Sequence, residues 1–405
     1  MNEQRTMTVR ACVVGGGPAG IMLGFLLARA GHAVAILEKH ADFLRDFRGD
    51  TVHPSTMTVL DELGLLDEFL KRPHSEIREI GGQIGADYVR VGDFSHVPAR
   101  TKFLAIMPQW DFLNFVSENG RAYPGFQLMM QTEATGVIRD GNRIAGISAN
   151  GPGGALEVRA DVVVACDGRT STIRNAVGVR PRDLGAPMDV LWMRISRRPT
   201  DRNAAFGFIG AGTIFVMIDR GDYWQCGYVI AKGSAQELRS RGIESLCAEI
   251  STVAPVVADR VKQLKSWDDV KLLSVAVDRL DSWFMPGLLF IGDAAHAMSP
   301  VGGIGINLAV QDAVATANIL TPALQSPGPV GDDVLARVQR RRTYPTVMTQ
   351  ALQVQIQRRV IASVLRSKEP PKHAPLGLRV LTSIPGFRRI PAYLIGIGFR
   401  PEHVG

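Results

Sequence analysis

Four cysteines, Cys12, Cys166, Cys226 and Cys247, are scattered along the chain, with no CxxC pair and no metal-ligand spacing. That excludes a zinc site or a dithiol redox pair built from neighbouring thiols. Cys12 and Cys166 fall in apolar strands, where cysteine acts as a small buried hydrophobe. All four therefore read as reduced and structural, which predicts a cytoplasmic protein. No uninterrupted apolar run reaches the roughly 18–20 residues of a membrane span. The first ten residues carry mixed charge and lead straight into a strand, so no secretory leader is predicted. Internal repeats and low-complexity segments are absent. Charge of one sign does not dominate: 46 Lys and Arg against 39 Asp and Glu leave a net +7, largely in the C-terminal third. That excess is too modest to predict a nucleic-acid partner and suits anionic or phosphate-bearing small ligands.

What remains is a chain of 405 residues, 46% hydrophobic and 21% charged. It is long enough for two domains or one large interleaved one. Its most informative segment is the first. A strand, Val9 to Val14, runs into Gly15-Gly16-Gly17-Pro18-Ala19-Gly20, then an apolar helix, a second strand from Ala33 to Leu37, and Glu38. A dinucleotide needs that order. Gly15 permits the tight turn, Gly17 the approach of a pyrophosphate, and Gly20 close packing of helix on strand. The helix N-terminus offers free N–H groups to phosphates. An acid 18 residues past Gly20 suits ribose hydroxyls, as in FAD or NAD, rather than the 2′-phosphate of NADP.

The rest of the chain reads as follows. A helix is predicted over Thr56 to Leu70, β structure over residues 77 to 105, and a helix from Trp110 to Glu118 opened by Gln109. Phe126 to Met130, Ala134 to Arg139 and Arg143 to Ala149 read as a β-meander, with Asp140-Gly141-Asn142 as a turn. Residues 185 to 277 read as an antiparallel sheet, Met188–Ile195, Ala205–Ile209, Thr213–Ile218, Tyr223–Ile230 and Lys271–Val277, interrupted by one helix, Gln236 to Ser251. The last 80 residues read as Arg- and Gln-rich helices broken at Pro370-Pro371.

Two further motifs make the first specific. Residues 163–178 read VVACDGRTSTIRNAVG, and residues 288–313 read LLFIGDAAHAMSPVGGIGINLAVQDA. Each is an apolar strand ending in an Asp-Gly or Gly-Asp pair, followed by a loop and a helix. With GGGPAG and Arg48, this order resembles the group A FAD-dependent aromatic monooxygenases, the para-hydroxybenzoate hydroxylase family, over residues 9 to about 320. The resemblance implies an α/β fold: a Rossmann-like (GR2-type) FAD-binding domain, an inserted antiparallel-sheet substrate domain and a helical C-terminus. It divides the chain into 1–75, 100–184 and 278–330 for FAD, 76–99 and 185–277 for the substrate sheet, and 331–405 for the helical region.

The resemblance also implies residue roles. Gly15, Gly17, Pro18, Ala19, Gly20, Glu38 and Lys39 would hold the ADP half of FAD. Arg48 would reach the flavin half, near the phosphates or the ring, and Gln109 would also touch FAD. Asp167 belongs to a segment implicated in both FAD and nicotinamide binding. Asp293, Gly303, Gly305, Ile306 and Asn307 would finish the site, with Pro300 on the flavin face where oxygen reacts. Plainer roles remain open: an ion pair for Arg48, a helix cap for Gln109, a loop brace for Asp167. His296 and His53 read as a packing residue and a helix-start residue. One departure stands out. Where the family commonly has Gln in Pro-x-Gly-Gly-Gln-Gly, this chain has Ile304.

The implied reaction uses NADPH or NADH and O2 to hydroxylate a phenolic or polycyclic aromatic through a flavin C4a-hydroperoxide. No second GxGxxG marks a nicotinamide domain, as expected where that cosubstrate binds transiently. Candidate substrate-lining residues on the inserted sheet are Trp192, Arg194, Phe215, Met217, Tyr223, Trp224 and Tyr228; an aromatic beside an arginine suits a phenolate or aromatic acid. Rival readings are a reductase or dehydrogenase of a lipid-like or quinone substrate, a flavin halogenase, whose Trp-x-Trp-x-Ile-Pro segment is missing here, and a non-catalytic redox flavoprotein. Arg340-Arg341-Arg342, Arg358-Arg359 and Arg388-Arg389 read as a solvated basic face or as a membrane-surface patch.

Overall fold

A computed structural model describes residues 5–44, 51–201 and 206–405. Five strands run parallel in the order Leu288–Phe290, Gly154–Ala165, Arg5–Val14, Val34–Leu37, Phe126–Met129. Their central segments, Ala11–Val14, Val34–Leu37, Val162–Ala165 and Leu288–Phe290, are apolar and buried, because helices or further strands cover both faces of the sheet there. On one face pack the helices Pro18–Arg29, Gln109–Gly120 and Gly305–Ala323. The hairpin Glu133–Asp140 and Arg143–Gly151 extends antiparallel from Gly154–Ala165. The expected meander is therefore shifted by one strand. Phe126–Met129 joins the parallel sheet, and Gly154–Ala165 is the third strand of the meander.

The second sheet has seven strands, in the order Lys271–Leu273, Met188–Ser196, Tyr223–Ala231, Thr213–Asp219, Phe206–Gly210, Glu79–Ile84, Asp87–Asp93. All neighbours are antiparallel except Phe206–Gly210 with Glu79–Ile84. One face of this sheet packs on the helices Ala235–Ser240 and Ile243–Val253. The single helix expected there is broken at Gly242, whose φ of +85° ends the first helix. Gly64, at φ +72°, similarly splits the expected helix over Thr56 to Leu70 into Pro54–Glu62 and Leu66–Phe69.

The C-terminal helices travel between the two sheets. Asp332–Ile356 lies against Gly305–Ala323 and continues through a π-turn at Gln357–Ile361 into Ala362–Arg366, over the second sheet. After Pro370-Pro371, the helices Leu376–Ser383 and Pro385–Gly396 pack on the edge strand Asp87–Asp93. Two of the arginines read as a possible surface patch are engaged in ion pairs, one of them inside the protein. Arg342 is buried on Asp312 and Glu402, and Arg341 grips Glu402 with two nitrogens. Among the described residues, no helix is long and apolar enough to cross a membrane, and no cluster suits a metal ion.

Candidate active site

The ADP end is built from backbone geometry. Gly15 has φ +105°, and a Cβ there would lie 2.5 Å from the Cys166 carbonyl oxygen. Two parallel strands thus end in direct contact, at the carboxyl edge where open α/β sheets bind ligands. A Cβ on Gly20 would stand 1.9 Å from the Gly15 carbonyl, so helix and loop close only with glycine. At Gly17 nothing lies within 4 Å of that position, which leaves the loop open to a ligand. Pro18 and Ala19 start the helix, with its free N–H groups at the same spot. Glu38 is buried beside them. Its Oε2 accepts from the Gly16 N–H and its Oε1 from the His40 N–H, both at 2.9 Å. Lys39 is exposed.

The end expected to hold the flavin gathers the second and third motifs. Asp293 follows the strand Leu288–Phe290 and pairs with Arg169 at 3.0 Å, while Arg169 also donates to the Met298 carbonyl. Arg174 braces both segments by donating to the carbonyls of Ala294 and Arg169. Asp167 accepts from the Ile173 N–H through Oδ2, and its Oδ1 is buried with no hydrogen-bond partner among the described residues. Burial drives its carboxyl above the ordinary range, against the Ser171 and Ile173 contacts that pull it down. Gln109 is half-buried at the first position of its helix. Arg48 lies outside the described residues.

Pro300 opens a short turn in which Gly302 and Gly303 both take positive φ, and Gly305–Ala323 then begins. Gly305 and Ile306 form the first turn, with open space beyond Gly305. This loop is clamped from two sides. His53 is fully buried, with one ring nitrogen 3.0 Å from the Gly303 carbonyl and the other 2.6 Å from that of Ile395. A neutral imidazole has one N–H for these two acceptors. Burial pushes the ring pKa down, and the two carbonyls oppose that shift. Asn307 is held by the Ser55 and Thr56 hydroxyls, at 2.8 and 2.6 Å. From the other side come Gln353 and Gln357, on the helix Asp332–Ile356 and the π-turn after it. The Gln353 amide donates to the carbonyls of Ser299 and Val301 and accepts from the Ser299 N–H, and Gln357 bonds the Ser299 hydroxyl. Ile304 is buried, with its side chain against Gly302. Where the family commonly has a glutamine in the loop itself, this chain holds the loop with glutamines from outside.

Beneath the Gly292-Asp293 turn lies a buried charge network. Asp312 binds His296 at 2.6 Å, Arg342 at 2.8 Å and the Gly292 N–H at 3.1 Å. Burial alone would raise the Asp312 carboxyl, but His296 and Arg342 outweigh it and hold it below the ordinary range. His296 also packs against the Trp283 ring, with centroids 4.8 Å apart.

The seven candidate lining residues divide between the two faces of the second sheet. Phe215, Met217, Trp224 and Tyr228 point into the core under the helices, away from the flavin loop. These four are packing residues: the Tyr228 hydroxyl bonds Glu249 at 2.6 Å, and the Trp224 indole N–H bonds Asp201 at 2.9 Å. Trp192 lies on the opposite face, in an apolar cluster that includes Val301 of the flavin loop. Arg194 and Tyr223 share that face, the guanidinium 4.9 Å from the ring centroid. Sequence reasoning missed Arg169, Gln353 and Gln357. Arg169 lay inside a recognised motif, and the glutamines show only as a stripe with Gln350 at i, i+3 and i+7, without meaning until the loop beside them is known.

An open glycine cradle, an oriented acid beside it and a buried carboxylate oxygen without a partner fit a dinucleotide whose far end reaches the Pro300 loop. The chain matches the family model "FAD binding domain" over residues 8–349. It is 32% identical over 382 residues to 6-methylpretetramide 4-monooxygenase of Streptomyces rimosus, across 94% of this chain and 90% of that protein. It is 25% identical to para-nitrophenol 4-monooxygenase of Pseudomonas sp. (strain WBC-3), across 78% of each. Among solved structures, a probable FAD-dependent monooxygenase of Pseudomonas aeruginosa, PqsL, superposes with a TM-score of 0.75 at 24% identity, over 89% of this chain and all of that one, which supports the fold. The chain belongs to the FAD-binding-domain family and is a group A FAD-dependent aromatic monooxygenase.

Proposed function

We propose that this monooxygenase hydroxylates a phenolic, polycyclic aromatic of the polyketide type, in the cytoplasm, at the expense of NADPH or NADH. The observation that carries the substrate class is the 32% identity, over nearly the full length of both chains, to an enzyme named for a polycyclic substrate. The smaller phenol named for the second relative sits at lower identity and coverage.

Bound FAD supplies the redox and oxygen chemistry. The protein's own task is placement. Gly15, Gly17 and Gly20 would make room for the pyrophosphate, and Glu38 would take the adenosine ribose. Asp293, paired with Arg169, would offer a carboxylate oxygen to the ribityl hydroxyls. The N–H groups at Gly305 and Ile306 open a helix whose positive end would favour negative charge on the pyrimidine side of the ring. His53 and the two glutamines fix that loop. The sheet face bearing Trp192 and Arg194 closes the opposite side, keeps water from the reacting carbon and orients it.

The test loads the protein with FAD and follows NADPH and NADH oxidation in air, with a panel of polycyclic phenols. Stimulated oxidation with a product heavier by one oxygen atom is the expected result. Stimulation by simple phenols alone, with polycyclic compounds inert, would overturn the substrate class. Anaerobic flavin reduction by neither nicotinamide, with every compound of the panel present in turn, would overturn the nicotinamide assignment.

A further inference from the structure

Two tryptophans of the second sheet differ in one respect. On the helix side, Trp224 donates its indole N–H to Asp201 at 2.9 Å. On the flavin side, the Trp192 Nε1 is shielded from solvent and has no hydrogen-bond partner among the described residues. An indole nitrogen is a donor only, and buried donors in native proteins are nearly always paired, so each exception calls for an explanation.

The surroundings of Trp192 supply one. Its cross-strand neighbour is Gly227, and a Cβ there would come within 3.1 Å of the indole ring. Glycine at this position lets the ring lie close against the sheet, leaving part of the residue exposed. On the other side, Trp192 pairs with Lys271 of the edge strand. Directly opposed residues of an antiparallel pair project from the same face, so a lysine stands beside the ring, and Lys271 is exposed. Arg194, two residues along, adds a second cation on that face. Val301 of the flavin loop belongs to the same apolar cluster as Trp192. A ring partly exposed beside the apolar cluster of Val190, Val229 and Ile361, an N–H lacking an acceptor and two cations thus share the face turned to the loop that the family uses for its flavin.

We propose that Trp192 orients the substrate: its indole N–H donates to a carbonyl or phenolate oxygen on the edge of a planar polycyclic ligand lying on the sheet, and Lys271 favours the ionised form of that oxygen. This rests on the hydroxylase reading and narrows it. The ligand carries an acceptor oxygen on the edge facing Trp192, and it binds better as the anion.

The experiment uses the FAD-loaded protein and two probes, 1-hydroxyanthraquinone and 1-methylanthracene, with binding read by titration calorimetry. Trp192→Phe keeps an aromatic ring and removes the N–H. It is expected to weaken hydroxyanthraquinone binding about tenfold, in the range of one hydrogen bond to a charged acceptor, and to leave methylanthracene unchanged. Urea midpoint and FAD affinity serve as controls for folding and are expected to match the parent. In the parent protein the visible phenolate band of the bound probe should appear at lower pH than in water. Lys271→Met should abolish that displacement. Equal binding of both probes by the parent and by Trp192→Phe would overturn the proposal, because the N–H would then take no part in binding. Failure of the parent to bind hydroxyanthraquinone would overturn it equally. Oxygen uptake and product mass are read separately: a probe that binds through Trp192 but gains no oxygen leaves this assignment standing and counts against the hydroxylase reading.

Discussion

The two faces of the seven-stranded sheet are built from similar residues to opposite ends. The helix side buries Leu191, Met193, Phe215, Met217 and Trp224 in one continuous core, and its polar groups are paired. Trp224 and Arg260 both converge on Asp201, and Tyr228 reaches Glu249. The opposite side carries a smaller cluster, Met188, Val190, Val229 and Val275 against Ile361, with Trp192 packed against it bearing an unpaired donor and glycine across from it. One face is closed throughout by two helices, and the other is closed in part, by Ile356, Ile361 and Leu365 over Val190 and Val229, with the Trp192 donor left for a ligand. An aromatic residue in such a sheet is informative through its hydrogen bonding more than through its identity.

The largest effect that would test this contrast is on stability. Trp224→Ala should cost about 3–5 kcal/mol, as for other fully buried aromatics, whereas Trp192→Ala should cost only about 1 kcal/mol. Equal shifts in urea unfolding would break the comparison. Next comes Asp201→Asn, which leaves the buried Arg260 with only the half-exposed Asp259 as counter-charge and should cost roughly 3 kcal/mol at neutral pH. Burial pushes the Asp201 carboxyl up, yet the Arg260 guanidinium, the Arg198 N–H and the Trp224 N–H hold it far below the usual range. Its folded value therefore lies under the unfolded value of about 3.9. The stability it contributes is complete above that pH and is lost as pH falls toward the folded value. Unfolding midpoints of parent and variant should converge in acid; a constant gap down to the lowest pH would refute this account.

A smaller loss is expected at the flavin loop. Gln353→Leu leaves the carbonyls of Ser299 and Val301 without their donor, at about 1–3 kcal/mol. It should raise the FAD dissociation constant, and flavin fluorescence on dilution will read that. Unchanged FAD affinity would mean the loop stands without its outer support. The subtlest change is Gly227→Ala. Its new methyl needs the Trp192 ring to move by a few tenths of an ångström, with a stability cost of about 1 kcal/mol or less. Binding of hydroxyanthraquinone should weaken about threefold, below the tenfold of the lost hydrogen bond, while FAD affinity holds.

The sequence made some of this legible and hid the rest, for physical reasons. Gly15, Gly17, Gly20 and Glu38 were readable because a dinucleotide constrains backbone, and backbone constraint writes itself as glycine at fixed spacing. Helix ends at Gly64 and Gly242 follow from the same chemistry, although both were smoothed over in reading the helical pattern. The face of each sheet residue was not readable. Val190, Val229 and Ile214 on one side are as apolar as Leu191, Cys226 and Phe215 on the other, so alternation carries no direction when both faces meet apolar groups. Gln353 and Gln357 were invisible as site residues because their partners, two carbonyls and the Ser299 hydroxyl, lie more than 50 residues away in the chain.

The clasp on the flavin loop has a consequence for how the enzyme is made. The glycine cradle and Glu38 are complete once the chain has reached its parallel strand at residue 165. The loop at Gly303 gains its last support only when Ile395 meets His53, across a separation of 342 residues. A ribosome delivers those parts in that order. A nascent chain therefore presents a seat for the adenine end of the cofactor long before it can grip the ring, and cofactor loading becomes a late step of biosynthesis that completes the fold.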